Sequence, residues 1–413
     1  MQGYVYPNEW ELHWGLLVVV YPYLTGLVAG AFILASLARV FNVREVQPVY
    51  RLSLLTALAF LIAAPLPLLA HLGHPERSYE IFMTPNRRSA MAMFGFVYAW
   101  YLMVVLLLEI WFDYRKDLVI WARGATGPLA LLRRIITLGS NDLSEQSLRF
   151  DRSAGKLITI VGIPSAFFLH GYVGFIFGSV KANPWWSSVL MPVVFLFSAI
   201  VSGIALMIIL FMVTSLLRFK PVDMACLDKL GAFLLYALIV DFSLEMLDFT
   251  QRLYEAEESI TILSQMLASR LVISLIILQV LMGTVVPLIS LAAVAPTVRK
   301  QGLIRVPEEL RRLIYFGVGV LVLIGIFSTR WNVVIGGQLF SKSLRGLTAY
   351  KIELFGLDGI LTAGAIMLLP LVILFVLIKV LPPWLESEAK VEIALAGGAP
   401  AGAVHRSQTA EEP

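Results

Sequence analysis

Three carboxylates, an imidazole and a guanidinium fall inside or at the edge of long apolar runs of this 413-residue chain, where ionisable groups are expensive and mark function. In LLYALIVDFSLEMLDFTQRLY, Asp241, Glu245 and Asp248 stand at i, i+4 and i+7, one face of a helix, with Arg252 one turn further. An ionised Asp near the middle of a span costs roughly 2.5–3.5 kcal/mol on insertion scales, so Asp241 must be protonated, paired or beside water. Because the stripe continues outward, it reads as a proton path from the midplane to the face carrying the N-terminus. The plainer reading is a structural pair with a basic residue on a neighbouring helix.

Further polar groups fall at similar depth. AFFLHGYVGFIFGSVKANPWW places His170 beyond the midplane toward the N-terminal face, and Gly171, Gly174 and Gly178 would let a backbone or a flat ligand approach closely. Lys181, Asn183, Trp185 and Trp186 then end that helix at the interface. In RWNVVIGGQLFSK, Arg330, Asn332 and Gln338 surround a Gly336–Gly337 break, which is tolerated at membrane depth only beside protein or a wet cavity. Arg330 is the expected counter-charge to the carboxylate stripe, and Gln279 adds a neutral donor and acceptor.

This inventory suits a quinone, which needs a flat apolar slot, hydrogen bonds to two carbonyl oxygens, and acids and bases that exchange two protons as two electrons move. His170, Tyr172, Tyr21, Tyr23, Arg330 and Gln279 are the candidate binding residues, with Asp241, Glu245 and Asp248 as the proton path. No electron carrier is expected in the chain itself. The one cysteine, Cys226, cannot ligate an iron–sulfur cluster. Of five histidines only His170 lies deep, which argues against a bis-histidine haem, and the pair in HLGH lacks a third zinc ligand. No metal site is expected.

The elements that must hold these residues are membrane helices. Mean hydropathy is +0.82 and only 15% of residues are charged, which excludes a soluble globular domain. An all-α polytopic protein is expected, with a transmembrane domain over 1–385 and nine helices near 14–40, 50–71, 89–112, 157–180, 189–216, 229–251, 268–294, 312–329 and 352–380. Eight of them can form two four-helix bundles, leaving one flanking helix. No Lys or Arg precedes the first apolar run, so it reads as an anchor and not a cleaved signal. Lys and Arg number 10 on the N-terminal face and 22 on the other, which makes the other face cytoplasmic and places the N-terminus outside a bacterial or archaeal cytoplasmic membrane. The net charge of +4 then reports orientation, and nucleic-acid binding is set aside. A cytoplasmic loop over 113–156 is expected to carry PLALLRRIITL as a helix at the lipid headgroups. Glu109, Asp223 and Asp228 read as solvated helix ends, and 386–413 as a disordered tail.

One connection is too rich in charge to be a simple turn. HLGHPERSYEIFMTPNRRS, His71 to Ser89, packs two His, three Arg, two Glu and two Pro into nineteen residues. HLGHPER followed by PNRRS resembles the Asp/His-Leu-Gly-x-Pro-Glu-Arg signature of the polysulfide reductase membrane-subunit (NrfD/PsrC-like) family. HGYVGFIFGSVKANPWW and RWNVVIGGQL are similar to signatures of its longer members, including those of sulfur-metabolising complexes. The resemblance spans roughly residues 10–380. It implies a quinone-interacting anchor (menaquinone or ubiquinone) with no haem or cluster of its own. It also implies docking of a ferredoxin-like iron–sulfur subunit, with a molybdopterin or cytochrome subunit beyond. Matching residues are Leu72, Gly73, Pro75, Glu76 and Arg77 in the loop, with His170 and Arg330 at the quinone region. Short members carry a His in the first helix at the quinone, where this chain has Tyr21. The expected docking platform is His71, His74, Glu76, Arg77, Arg87 and Arg88 with Lys181, Trp185 and Trp186. Two rivals stand beside this reading. Redox-linked proton translocation would need a cytoplasmic half-channel, for which Glu109, Ser198, Ser202 and Thr214 are the candidates. A secondary transporter would need polar residues running through to the cytoplasmic half.

Overall fold

A computed structural model describes residues 2–10, 12–124, 127–255, 260–295 and 306–384; the expected tail at 386–413 lies outside these. Among them, nine helices are long and apolar enough to span a bilayer: α1 (Leu16–Arg39), α2 (Arg44–His71), α3 (Ala90–Arg123), α4 (Glu145–Gly178), α5 (Met191–Leu217), α6 (Met224–Glu255), α7 (Val272–Val294), α8 (Glu308–Gly336) and α9 (Ile360–Val380). Helices satisfy their own backbone groups, which is what hydrocarbon requires. The chain is thus an all-α multi-pass membrane protein.

α1–α4 and α5–α8 form two four-helix bundles, and α9 flanks the first by packing on α2. The bundles meet where α1 crosses α5. A Cβ on Gly30 would lie 2.0 Å from the Ala199 carbonyl oxygen, and one on Gly203 would lie 2.3 Å from Gly30 C, so only glycine allows this approach. Gly283 of α7 and Gly325 of α8 make a similar crossing in the second bundle. α1 is enclosed along most of its length, and α9 shows most of its apolar surface outward, as a lipid-facing helix should.

The expected connection over 113–156 is corrected by the structure. α3 runs on to Arg123 and α4 begins at Glu145, because the charges that suggested a loop are paired. Asp113 accepts from Arg51 at 2.7 Å and Arg39 at 3.1 Å, Arg51 also reaches Asp117 at 2.5 Å, and Arg115 donates to Asp151 at 2.7 Å. These partners come from α1, α2 and α4. A short helix, Pro128–Ile136, does occupy the remaining connection. Arg133 covers Trp121 at 4.8 Å while Leu131 and Ile135 stay exposed.

On the N-terminal face the chain folds over its own bundle end. β1 (Gln2–Gly3) pairs antiparallel with β2 (Gly346–Leu347). Gln338 clamps the Trp14 backbone, accepting at 3.0 Å and donating at 2.9 Å. Glu9 accepts from Ser341 Oγ at 2.6 Å and the Lys342 amide at 2.8 Å. Burial pushes the Glu9 carboxyl up, but the Ser341 hydroxyl and the Lys342 and Tyr6 amides outweigh it and hold the group below the ordinary range.

Candidate functional site

A hydrogen-bonded chain crosses from the first bundle to the second in the N-terminal half of the membrane. Thr25 of α1 lies 3.4 Å from His170 Nδ1 on α4, and His170 Nε2 lies 3.2 Å from Arg330 Nη2 on α8. The same Nη2 donates to Ser198 Oγ of α5 at 2.5 Å. Local sequence makes this possible. Gly26 leaves room for the imidazole, since a Cβ there would stand 3.2 Å from both Cε1 and Nε2. Phe195, one turn before Ser198, stacks on the imidazole at 5.6 Å and lies 4.1 Å under the Arg330 guanidinium. His170 and Arg330 are fully buried.

The carboxylate stripe of α6 faces inward beside this chain, with Asp241, Glu245 and Asp248 all buried. Glu245 accepts from Gln279 Nε2 of α7 at 3.1 Å, and Gln279 Oε1 accepts from Asn332 Nδ2 of α8 at 2.7 Å. Asp248 is held by Ser188 and by Arg252 one turn along, and Arg252 also reaches the Trp185 carbonyl at 2.6 Å. Arg330 feels the fields of Asp241 and Glu245 but forms no ion pair with either; its hydrogen bonds go to His170 and Ser198. The expectation of a direct counter-charge is therefore corrected: the one carboxylate of the stripe in an ion pair, Asp248, takes Arg252.

Several buried polar atoms in this region have no partner in the protein: Nε and Nη1 of Arg330, Oδ1 of Asp241, Oε1 of Glu245 and Oδ1 of Asn332. Unpaired buried groups cost free energy comparable to a lost hydrogen bond or more, so such a concentration points to water or a ligand. A cavity of roughly 50 Å³ lies beside Glu245 and Asn332 of this set, walled also by Phe195, Asp248, Gln279 and Thr329, among others. Its volume suits a few waters. No cluster of three or more metal-ligating side chains occurs among the described residues.

The remaining expected residues divide. Tyr23 stands edge-on to Phe327 of α8 at 5.3 Å, near enough to Arg330 to act on it electrostatically. Tyr21 and Tyr172 belong to a different group: Tyr21 meets Phe94 edge-on at 5.8 Å, Tyr172 stacks on Phe94 at 5.7 Å, and the Tyr172 hydroxyl donates to Ala90 O at 3.0 Å. Two residues apart on α4, Tyr172 and His170 face different neighbours. The glycines after His170 receive backbone: Cβ atoms at Gly174 and Gly178 would meet the carbonyl oxygens of Met191 and Ser188 at 2.7 and 2.6 Å.

On the N-terminal face, His74 lies 3.0 Å from Glu76, Arg77 is bidentate to Glu80 at 2.8 and 3.0 Å, and His71 approaches Asp358 at 3.4 Å. Arg87, Arg88 and Lys181 are exposed, as are Tyr79, Phe82 and Met83. Trp185 and Trp186 are not: they are buried, and their indoles donate to Asn332 O at 2.8 Å and Val333 O at 2.6 Å, pinning the π-helical end of α8. They offer no face to a partner.

Thr25, Gly26 and Phe195 carry no signal of a site in the sequence, because such residues commonly serve helix packing, and Ser198, expected on a cytoplasmic half-channel, is bound to Arg330 instead. Glu109 is a further correction. It is no solvated end but fully buried, accepting from Thr159 at 2.7 Å with its second oxygen unpartnered. Asp228 is likewise engaged, by Arg311 at 2.6 Å and Tyr315 at 2.9 Å.

Comparison with known proteins fits this geometry. The polysulphide reductase NrfD family model matches residues 7–342. A selenate reductase subunit of Mesobacillus selenatarsenatis is 33% identical over 333 residues, covering 78% of this chain and 73% of that protein. A putative dimethyl sulfoxide reductase membrane subunit of Halobacterium salinarum is 28% identical over 54% of this chain and 48% of its own length. Protein NrfD of Escherichia coli is 26% identical over 48% of this chain and 59% of its own. With nine apolar spans, two bundles and a family match over most of its length, the chain belongs to the polysulphide reductase NrfD family of membrane proteins.

Proposed function

We propose that this chain is the quinone-reactive membrane subunit of an oxidoreductase complex. The observation that carries the reading is the set of buried, unpartnered donors and acceptors on Arg330, Asp241, Glu245 and Asn332 inside a bilayer-spanning protein. Donors suit a quinone carbonyl, and carboxylates suit the two protons that leave a quinol with its two electrons. Asp241 and Glu245 take those protons in quinol oxidation, and Asp248, nearer the N-terminal face, passes them on; quinone reduction runs the same groups in reverse. Menaquinone and ubiquinone share these two carbonyls, and either fits this chemistry. The electrons go to or come from a partner, since the chain has one cysteine and one deep histidine.

The relatives named as selenate and dimethyl sulfoxide reductase subunits support a place in such a complex. The charge asymmetry of the connections supports an N-terminus outside a bacterial or archaeal cytoplasmic membrane. The 71–89 connection, with exposed Arg77, Arg87 and Arg88 around Tyr79, Phe82 and Met83, is the seat we assign to a ferredoxin-like iron–sulfur subunit. A molybdopterin or cytochrome subunit lies beyond it. The test is quinol-dependent electron transfer in membranes carrying Asp241→Asn and Glu245→Gln. We expect rates to fall at least about tenfold with an altered pH profile; wild-type rates across pH remove these residues from the proton path.

One observation favours a second reading, redox-linked proton translocation. α3 makes a π turn at Tyr101–Leu106, and one extra residue in a turn rotates the following helix by about 100°. Tyr101 and Glu109 are thereby brought toward a common inward face, both fully buried and each with an unpartnered oxygen. They begin a polar line from the opposite face. In proteoliposomes, Glu109→Gln should leave only the two protons exchanged by the quinone itself while electron transfer continues; an unchanged proton-to-electron ratio removes the reading.

A further inference from the structure

His170 looks like the proton-exchanging group of the site, and its hydrogen bonds say otherwise. Two constraints fix its protonation independently. A guanidinium has no acceptor, so His170 Nε2, 3.2 Å from Arg330 Nη2, must present its lone pair. The one proton of Thr25 Oγ1 is committed to the carbonyls of Tyr21 and Pro22, at 3.2 and 3.3 Å. Oγ1 therefore accepts from His170 Nδ1 at 3.4 Å. Both demand a neutral imidazole with its proton on Nδ1. The charge that acts on the ring is that of Arg330, and Tyr23, Asp241 and Glu245 act in turn on Arg330.

The Arg330 side is determined in the same way. Ser198 Oγ gives its proton to Phe195 O at 2.9 Å and so accepts from Arg330. Both N–H groups of Nη2 are consumed by His170 and Ser198, and Phe195 underlies the plane at 4.1 Å. The guanidinium is locked with Nε and Nη1 unpartnered in a fully buried position. Three N–H bonds remain for an oxygen acceptor.

We infer that Arg330 is the group that binds the quinone oxygen, and that His170 is a positioning residue that fixes Arg330 through its Nε2 lone pair and carries no proton during turnover. The inference rests on the quinone reading for its ligand, but its structural half stands apart from it. As the bound oxygen gains electron density on reduction, a preorganised cation strengthens its hold, which lowers the barrier.

The test has two arms. Nitrogen NMR of the full-length protein labelled at histidine, with the His170 signal assigned by its loss in His170→Gln, should show a neutral ring protonated at Nδ1 and unchanged between about pH 5 and 8. A ring protonated at Nε2, or an imidazolium forming in that range, overturns the inference whether or not quinone binds. The second arm is turnover with a soluble quinol. Gln can accept from Arg330 through Oε1 but cannot titrate, whereas Leu can do neither. His170→Gln should stay within about tenfold of wild type with an unchanged pH profile, and His170→Leu should lose about 10- to 100-fold, mainly in kcat/KM. If Gln is as inactive as Leu, His170 carries protons and the inference falls. A normal tautomer in a protein indifferent to every quinone would instead remove the quinone reading and, with it, the role given to Arg330.

Discussion

Gly30→Ala adds one methyl at the crossing on which both bundles depend. The new Cβ would stand 2.0 Å from the Ala199 carbonyl oxygen and 2.8 Å from Gly203 Cα, where ordinary contact begins at 3.4 Å. Backbone atoms cannot rotate aside, so α1 and α5 must part by about 1 Å. Overpacking of this kind costs about 1–3 kcal/mol. Separation also pulls Thr25 of α1, already 3.4 Å from His170, out of hydrogen-bonding range. The chain supplies its own reporter. Cys226 is the one cysteine and is fully buried, so a maleimide dye labels it when the second bundle opens. Labelling at fixed temperature should accelerate about 5- to 150-fold, the population change that 1–3 kcal/mol implies. Gly364→Ala on α9 is the control, because nothing lies within 4 Å of its Cβ position, and its labelling should match wild type or slow slightly. Equal rates for Gly30→Ala and Gly364→Ala would refute the claim that this crossing sets the bundle interface.

Three further outcomes follow from separate parts of the molecule. Asp113→Asn leaves Arg39 and Arg51 without their shared carboxylate and should cost about 3–5 kcal/mol, read by faster Cys226 labelling and partly restored by Arg39→Gln. The Glu9 carboxyl is held low, so its stabilisation is present above the ordinary carboxyl value of 4.5 and lost as pH falls below it. Acidification through that range should expose residues 2–15 to limited proteolysis, and Glu9→Gln should be cleaved with little dependence on pH. Charge reversal at Arg77 and Arg87 together should release the soluble partner while Cys226 labelling stays at the wild-type rate; a retained complex would contradict docking at the 71–89 connection.

Apolar run length was enough to locate nine spans, because each crossing needs its own stretch of hydrocarbon-compatible residues. The α6 stripe was also legible: i, i+4 and i+7 is geometry within one helix, and Asp241, Glu245 and Asp248 do face inward together. What failed was pairing between helices. α3 looked finished near residue 112 because Asp113, Arg115 and Asp117 read as solvent-seeking, yet their partners at Arg39, Arg51 and Asp151 come from three other helices. Arg330 was matched to the nearest opposite charge, whereas packing gives it a neutral imidazole and a serine. Trp185 and Trp186 were expected on the docking platform, but carbonyls of the π turn at Asn332–Gly336 accept from their indoles and hold them inward. Thr25 also satisfies a carbonyl of its own helix, the commonplace use that hides a site residue, while Ser198 was singled out but for the cytoplasmic half, because run length alone does not give its partner on α8.

The central claim is that a quinone head sits against Arg330 between the two bundles. Photolabelling of the intact complex with an azidoquinone, followed by peptide mapping, tests it most directly. Labelled peptides should come from α8 around Thr329–Val333 and from α5 around Phe195–Ser198. Excess unmodified quinol should suppress the label, and Arg330→Gln should reduce it. Label confined to the lipid-facing surface of α9, or label that quinol does not compete away, would contradict it.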